Sequence, residues 1–161
     1  MNILIYPTKM LKETVNTGEM GLCAAIIFSS FDLPTAKIPG CPYIFRKFED
    51  LDREIPGRSF CEADAIAIRD FLRCLDPRTQ TLICCCDAAQ SRSPAAAAAL
   101  KLYYGQDDMP IWQEPRFHPN VLLFSTLCHT LGITLTDYQI DLRIYENLKA
   151  FQNAIRDGRQ E

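Results

Sequence analysis

Three cysteines in a row, Cys84, Cys85 and Cys86, are followed six residues later by Arg92 in the stretch "TLICCCDAAQSRSPAAAAAL", Thr81 to Leu100. Thr81–Cys85 is a short, continuous apolar run, which predicts a strand buried on both faces. Ser93-Pro94 then predicts a helix start, with serine as N-cap, proline at the first helical position, an alanine run and Gly105 as the stop. The loop between them, Cys86 to Ser93, leaves the end of a strand and enters a helix N-terminus. Free N–H groups and the helix dipole favour an anion there, and a short loop can turn its own amides inward as a cradle. Arg92 is the loop's only basic residue, and its planar fork can grip two oxygens of a phosphoryl group. A cradle that binds an anion also favours a thiolate over a thiol. Cys86, at the start of the loop, is then a nucleophile aimed at phosphorus. A purely structural strand-turn-helix is the alternative.

Cys86, five intervening residues, Arg92 and Ser93 together resemble the signature loop of cysteine-dependent protein tyrosine and dual-specificity phosphatases. The wider "CDAAQSRSPAAAAAL" is similar to the alanine-bearing form common in short bacterial members of that superfamily. The resemblance is sharp over about Leu82–Leu100, weak over Ile44–Leu75 and Pro115–Gly132, and absent elsewhere. It implies that Cys86 attacks phosphorus to form a phosphocysteine, and that Arg92 binds the phosphoryl oxygens and carries transition-state charge. It implies that Ser93 bonds the sulfur and eases hydrolysis of the intermediate. The amides of Asp87, Ala88, Ala89, Gln90, Ser91 and Arg92 would form the cradle, with no metal or other cofactor. The family also needs an aspartic acid on an upstream loop to protonate the leaving oxygen and later activate water. "KFEDLD" offers Glu49, Asp50 and Asp52. Asp50 is chosen because "F-x-D-L", Phe48 to Leu51, resembles the family's acid loop; Asp52 and a merely solvated acidic turn are the alternatives. Pro119-Asn120 resembles a Pro-Asn of short bacterial relatives, where Asn120 either contacts the loop or, the favoured role, starts a helix.

Three residues depart from the family pattern. Cys85 stands where the family usually has histidine, so Cys85→His is expected to raise activity if the loop is otherwise sound. Ala89 stands where glycine is usual, and a positive φ there would cost alanine about 1 kcal/mol. Asp87 places a negative charge beside the nucleophile, which disfavours a thiolate. These departures favour a slow enzyme, or a phosphotyrosine-binding pseudophosphatase without turnover, as the second reading. Sulfur transfer fits less well because its loops are usually one residue tighter. A phosphoinositide substrate would want more cations than Arg92. A bond between the adjacent Cys85 and Cys86 would be strained. Cys84 is expected on the other strand face, as core. The substrate would be a phosphorylated protein or a small aryl phosphate, with "DDMPIWQEPRF", including Trp112 and Phe117, as a candidate pocket wall.

The surrounding chain must position that loop. Its 161 residues are expected to form a single phosphatase-like domain, 1–161. Net charge is −3 and the pI about 5.4, so no basic field is available for nucleic acid or anionic membrane. No apolar run reaches bilayer length, and "MNILIYPTKMLK" lacks the features of a signal peptide, so a cytoplasmic protein is expected. The eight cysteines include no CxxC pair, and most read as small buried hydrophobes. Strands are predicted at Asn2–Tyr6, Ala24–Phe28 and Tyr43–Phe48. A Ser59/Glu62 capping box should open a helix ending near Leu75. Further helices are predicted from Pro119 to Leu131 and, amphipathic, from about Asp137 to Ile155. The alternation predicts an α/β fold, a central mostly parallel sheet flanked by helices.

Overall fold

The computed structural model describes residues 1–11, 22–32 and 40–158. Four strands, β1 (Asn2–Pro7), β2 (Cys23–Ser29), β3 (Tyr43–Lys47) and β4 (Thr81–Cys86), form one sheet in the order β1-β4-β2-β3. All three pairings are parallel, so every strand ends on the same side of the molecule. The helices are α1 (Glu62–Arg73), α2 (Arg92–Tyr103), α3 (Met109–Trp112), α4 (Val121–Thr130) and α5 (Asp137–Asp157).

The central strands β2 and β4 are buried along their whole length. Their continuous apolar runs are what a strand covered on both faces requires. One sheet face presents Ala24, Ile26, Phe28, Leu82, Cys84 and Cys86 to α1, α2 and α4. The other presents Cys23, Ala25, Ile27, Ile83 and Cys85 to Leu11 and Cys41. The alanines of α2 are all fully buried, and their small side chains let the helix lie close to both the sheet and α4. Among the described residues, no helix is long and apolar enough to cross a membrane.

Helix starts differ from the sequence expectation for identifiable reasons. α1 is capped by Cys61, whose N–H is accepted by Asp64, rather than by Ser59. Ser59 is used in the turn before it: its hydroxyl accepts the Ile55 N–H at 2.7 Å. α2 begins at Arg92, because Ser93 turns its hydroxyl to Cys86 instead of capping the helix. Pro94 is tolerated in that first turn, where an N–H has no intrahelical partner to lose. α4 begins at Val121 with Asn120 as its cap, the side chain accepting the Leu123 N–H at 2.9 Å.

α5 is anchored by polar groups. Arg143 donates two hydrogen bonds of 2.8 Å to Asp108, which also accepts the Trp112 indole N–H at 2.9 Å. Asn147 donates to the carbonyls of Trp112 and Phe117. Trp112 is thus a core anchor, packed edge-on against Phe124 at 5.0 Å, and not the pocket wall that its loop suggested.

Candidate active site

β4 delivers Cys86 to the loop with its side chain buried. The sulfur lies 3.0 Å from Ser93 Oγ and accepts the Ser93 N–H at 3.4 Å. Between them the chain turns through Ala89, whose φ of 55° is the only positive value at a non-glycine among the described residues. The expected cost of the missing glycine is therefore present, about 1–2 kcal/mol.

The segment before α4 holds this loop from outside. His118 donates its N–H to the Gln90 carbonyl at 2.7 Å, and Asn120 donates its own to the Ser91 carbonyl at 3.3 Å. A trans peptide plane points its N–H opposite to its C=O. The N–H groups of Ser91 and Arg92 therefore face away from that segment. None of the backbone hydrogen bonds among the described residues uses the N–H of Ala88, Ala89, Gln90 or Ser91. That set of donors is suited to an anion.

Arg92 crosses to the neighbouring strand ends. Its Nη1 donates to Ser30 Oγ at 3.2 Å and to the Phe48 carbonyl at 3.1 Å. Its guanidinium lies 5.8 Å from the centre of the Phe48 ring, itself packed edge-on with Phe28 and Phe60. Nη2 donates to Asp87 Oδ2 at 2.5 Å, and Asp87 Oδ1 accepts the Ser29 hydroxyl at 2.8 Å. The charge of Asp87, expected as a bare penalty beside the nucleophile, is instead paired with Arg92. Nε is buried with no hydrogen-bond partner among the described residues, and Asp50 Oδ2 lies 3.8 Å from it.

Asp50 reaches the loop from the exit of β3. Its Oδ1 accepts Ser91 Oγ–H at 2.9 Å and Asn120 Nδ2–H at 2.7 Å. Asn120 therefore both caps the helix and donates to Asp50. Asp52 lines the adjacent open cleft of about 450 Å3, with Asp50, Ser91, His118 and Asn120, but makes no hydrogen bond to the loop. Glu49 is turned to Arg58, which holds its carboxyl below the ordinary value. Of the three acids in "KFEDLD", only Asp50 is bonded to the loop.

Period-two alternation puts Cys84 and Cys86 on the same sheet face and Cys85 on the other. The expectation that Cys84 faces away from the loop's sulfur is therefore corrected. Burial pushes the Cys84 thiol up, and burial with the neighbouring Cys86 pushes Cys85 to about 12, so both stay thiols at neutral pH. Cys85 is fully buried in a cluster with Leu11, Cys41 and the β2 side chains Cys23, Ala25 and Ile27. A histidine there must displace packed atoms at about 1–3 kcal/mol, which weighs against the gain expected from Cys85→His. Ser29, Ser30 and His118 were missed by sequence reasoning. The two serines do carry a signal, standing at the C-terminal end of a buried parallel strand, where ligands of such sheets bind.

A scan against protein-family models and a search of curated proteins gave no match. Among solved structures, the chain is similar to human DUSP28, a dual-specificity phosphatase. The TM-score is 0.52 at 17% identity, over 81% of this chain and 91% of that chain. The chain has the phosphatase-like α/β fold, a central parallel sheet flanked by helices.

Proposed function

We propose that the protein is a metal-independent phosphomonoester hydrolase of the tyrosine or dual-specificity kind, working through a phosphocysteine. The observation that carries this reading is the arrival of Asp50 at the loop bounded by Cys86 and Arg92. A structural turn has no need of that acid. The Cys86 thiolate attacks phosphorus, the ester P–O bond breaks, and protonated Asp50 gives its proton to the departing oxygen. Water then attacks the phosphocysteine while the Asp50 carboxylate takes its proton. The P–S bond breaks, with the Ser93 hydroxyl bonding the returning sulfur, and inorganic phosphate leaves. Arg92 and the amides of Asp87 to Arg92 bind the equatorial oxygens throughout. The alanine-bearing loop favours a relative of the short bacterial enzymes, and a phosphorylated protein or small aryl phosphate is the proposed substrate.

A second reading, a phosphate-binding domain with little or no turnover, is favoured by one contact. Asp87 holds Arg92 Nη2 at 2.5 Å, so an incoming phosphoryl group must compete with an internal carboxylate. Hydrolysis of an aryl phosphate by the wild type and by Cys86→Ser, with chelator and reductant, separates the two. Activity that withstands the chelator and vanishes in Cys86→Ser supports the thiol hydrolase. Absent turnover with retained phosphate binding supports the second reading. Absence of both refutes the site.

A further inference from the structure

The N–H donors of the Arg92 guanidinium are used unevenly. Nη1 donates to Ser30 Oγ and to the Phe48 carbonyl, which occupies its two hydrogens. Nη2 donates to Asp87, while Nε has no partner among the described residues although Arg92 is only 5% exposed. Asp50 Oδ2, at 3.8 Å, is beyond hydrogen-bond reach of Nε. Burying a charged N–H without an acceptor is unfavourable, and a bound anion would supply the acceptor.

We propose that Ser30 is a positioning residue for Arg92: its hydroxyl, with the Phe48 carbonyl, ties down Nη1, so that the guanidinium meets a phosphoryl group along its Nε–Nη2 side. The inference rests on the hydrolase reading of the loop. The guanidinium is planar, and Nε–H and one Nη2–H run parallel along the side away from Nη1. Fixing Nη1 therefore fixes where that pair points. A hydroxyl suits the task because it accepts and donates at once: Ser30 Oγ accepts from Nη1 and donates to the Phe48 carbonyl at 3.4 Å. Arg92, Ser30 and Phe48 thus close a triangle of hydrogen bonds, and the Phe48 ring lies 5.8 Å from the guanidinium carbon. Ser30 is itself placed by the end of β2, where the Ser29 carbonyl accepts the Phe48 N–H at 3.0 Å. The two adjacent serines divide the arginine between them. Ser29 holds the Asp87 carboxylate that an incoming phosphoryl group must displace from Nη2, whereas Ser30 holds the nitrogen that the ligand does not need. Without the Ser30 hydroxyl, Nη1 keeps the Phe48 carbonyl alone, and the long side chain can pivot about that one contact. Part of the advantage of a pre-oriented group is then lost.

Ser30→Thr and Ser30→Val separate the hydroxyl from side-chain volume, because the two replacements differ in the hydroxyl and hardly in size. Ser30→Val should lower kcat/KM about tenfold, as the loss of one hydrogen bond to a charged group does. The factor should be the same for phenyl and dinitrophenyl phosphate, and Ser30→Thr should stay near the wild type. If the wild type binds inorganic phosphate without turnover, the same tenfold loss and rescue are read from phosphate affinity. Equal losses in both variants, or none in Ser30→Val, overturn the proposal. A loss confined to phenyl phosphate also overturns it, since Ser30 would then act on Asp50 through Phe48 rather than on Arg92. The Nε–H resonance of Arg92 in the 15N-labelled wild type, assigned by its loss in Arg92→Lys, should move as inorganic phosphate is added. A resonance that stays in place while calorimetry records phosphate binding overturns the Nε–Nη2 side. A wild type that neither hydrolyses aryl phosphates nor binds phosphate overturns the hydrolase reading itself, and this proposal with it.

Discussion

Replacing Asp87 by asparagine removes the carboxylate that occupies Arg92 while keeping the shape of the side chain: its one oxygen stays toward Arg92 and its NH2 donates to the Ser29 hydroxyl oxygen, which can accept as well as donate. Charged hydrogen bonds contribute about 1.5–3 kcal/mol. Asp87 is 39% exposed against 6% for Arg92, so solvent screening places this contact at the low end. Asparagine retains a neutral bond, so the released stabilisation is about 1 kcal/mol. Removing a negative charge beside a bound dianion relieves a further repulsion of about 1 kcal/mol at the high effective dielectric of a half-exposed site. The sum, about 2 kcal/mol, corresponds to about 30-fold tighter binding of inorganic phosphate. Titration calorimetry of phosphate into the wild type and Asp87→Asn measures it directly, with Arg92→Ala as the control that loses binding. Equal or weaker binding in Asp87→Asn would refute the reasoning: Asp87 would then be aligning Arg92 for the ligand rather than competing with it.

Asp50→Asn should lower kcat by about 100- to 10,000-fold for poor leaving groups such as phenol, and far less for dinitrophenol; an equal loss for both would remove Asp50 as the acid. Asp108→Ala strands the buried Arg143 and should cost about 3–5 kcal/mol, read as a lowered midpoint in urea. Cys41, Cys84, Cys85 and Cys128 all have thiols pushed up by burial, Cys85 and Cys128 to about 12. The unfolded chain ionises them near 8.5, so their contribution is intact below that pH and is lost as pH rises towards 12. Stability should fall there by up to about 1.4 kcal/mol per pH unit for each such cysteine. Urea unfolding at pH 7, 9 and 10 checks this, and a flat profile above pH 8.5 would contradict the burial.

The parallel sheet was legible because β2 and β4 are continuous apolar runs alternating with helical segments, a pattern set by burial along one strand. Cys86, Arg92 and Ser93 were legible because a strand-to-helix loop is local, and its spacing alone brings the sulfur to the helix start. The Asp50–Ser91 and Arg92–Ser30 bonds join residues 41 and 62 apart, and meet only because the order β1-β4-β2-β3 gathers the exits of β4, β2 and β3. Nothing local to "FSSF" or "CDAA" says that Ser29 and Arg92 will share Asp87. The last helix shows the same division more sharply. Its amphipathic period identified the element, and the apolar side of such a helix ordinarily faces the core. Here the buried Asp108 claims Arg143, the backbone of Trp112 and Phe117 claims Asn147, and Tyr138, Tyr145 and Leu148 are left exposed. A buried carboxylate needs its partner more than exposed tyrosines and leucines need cover. That choice could be made only where distant parts of the chain meet.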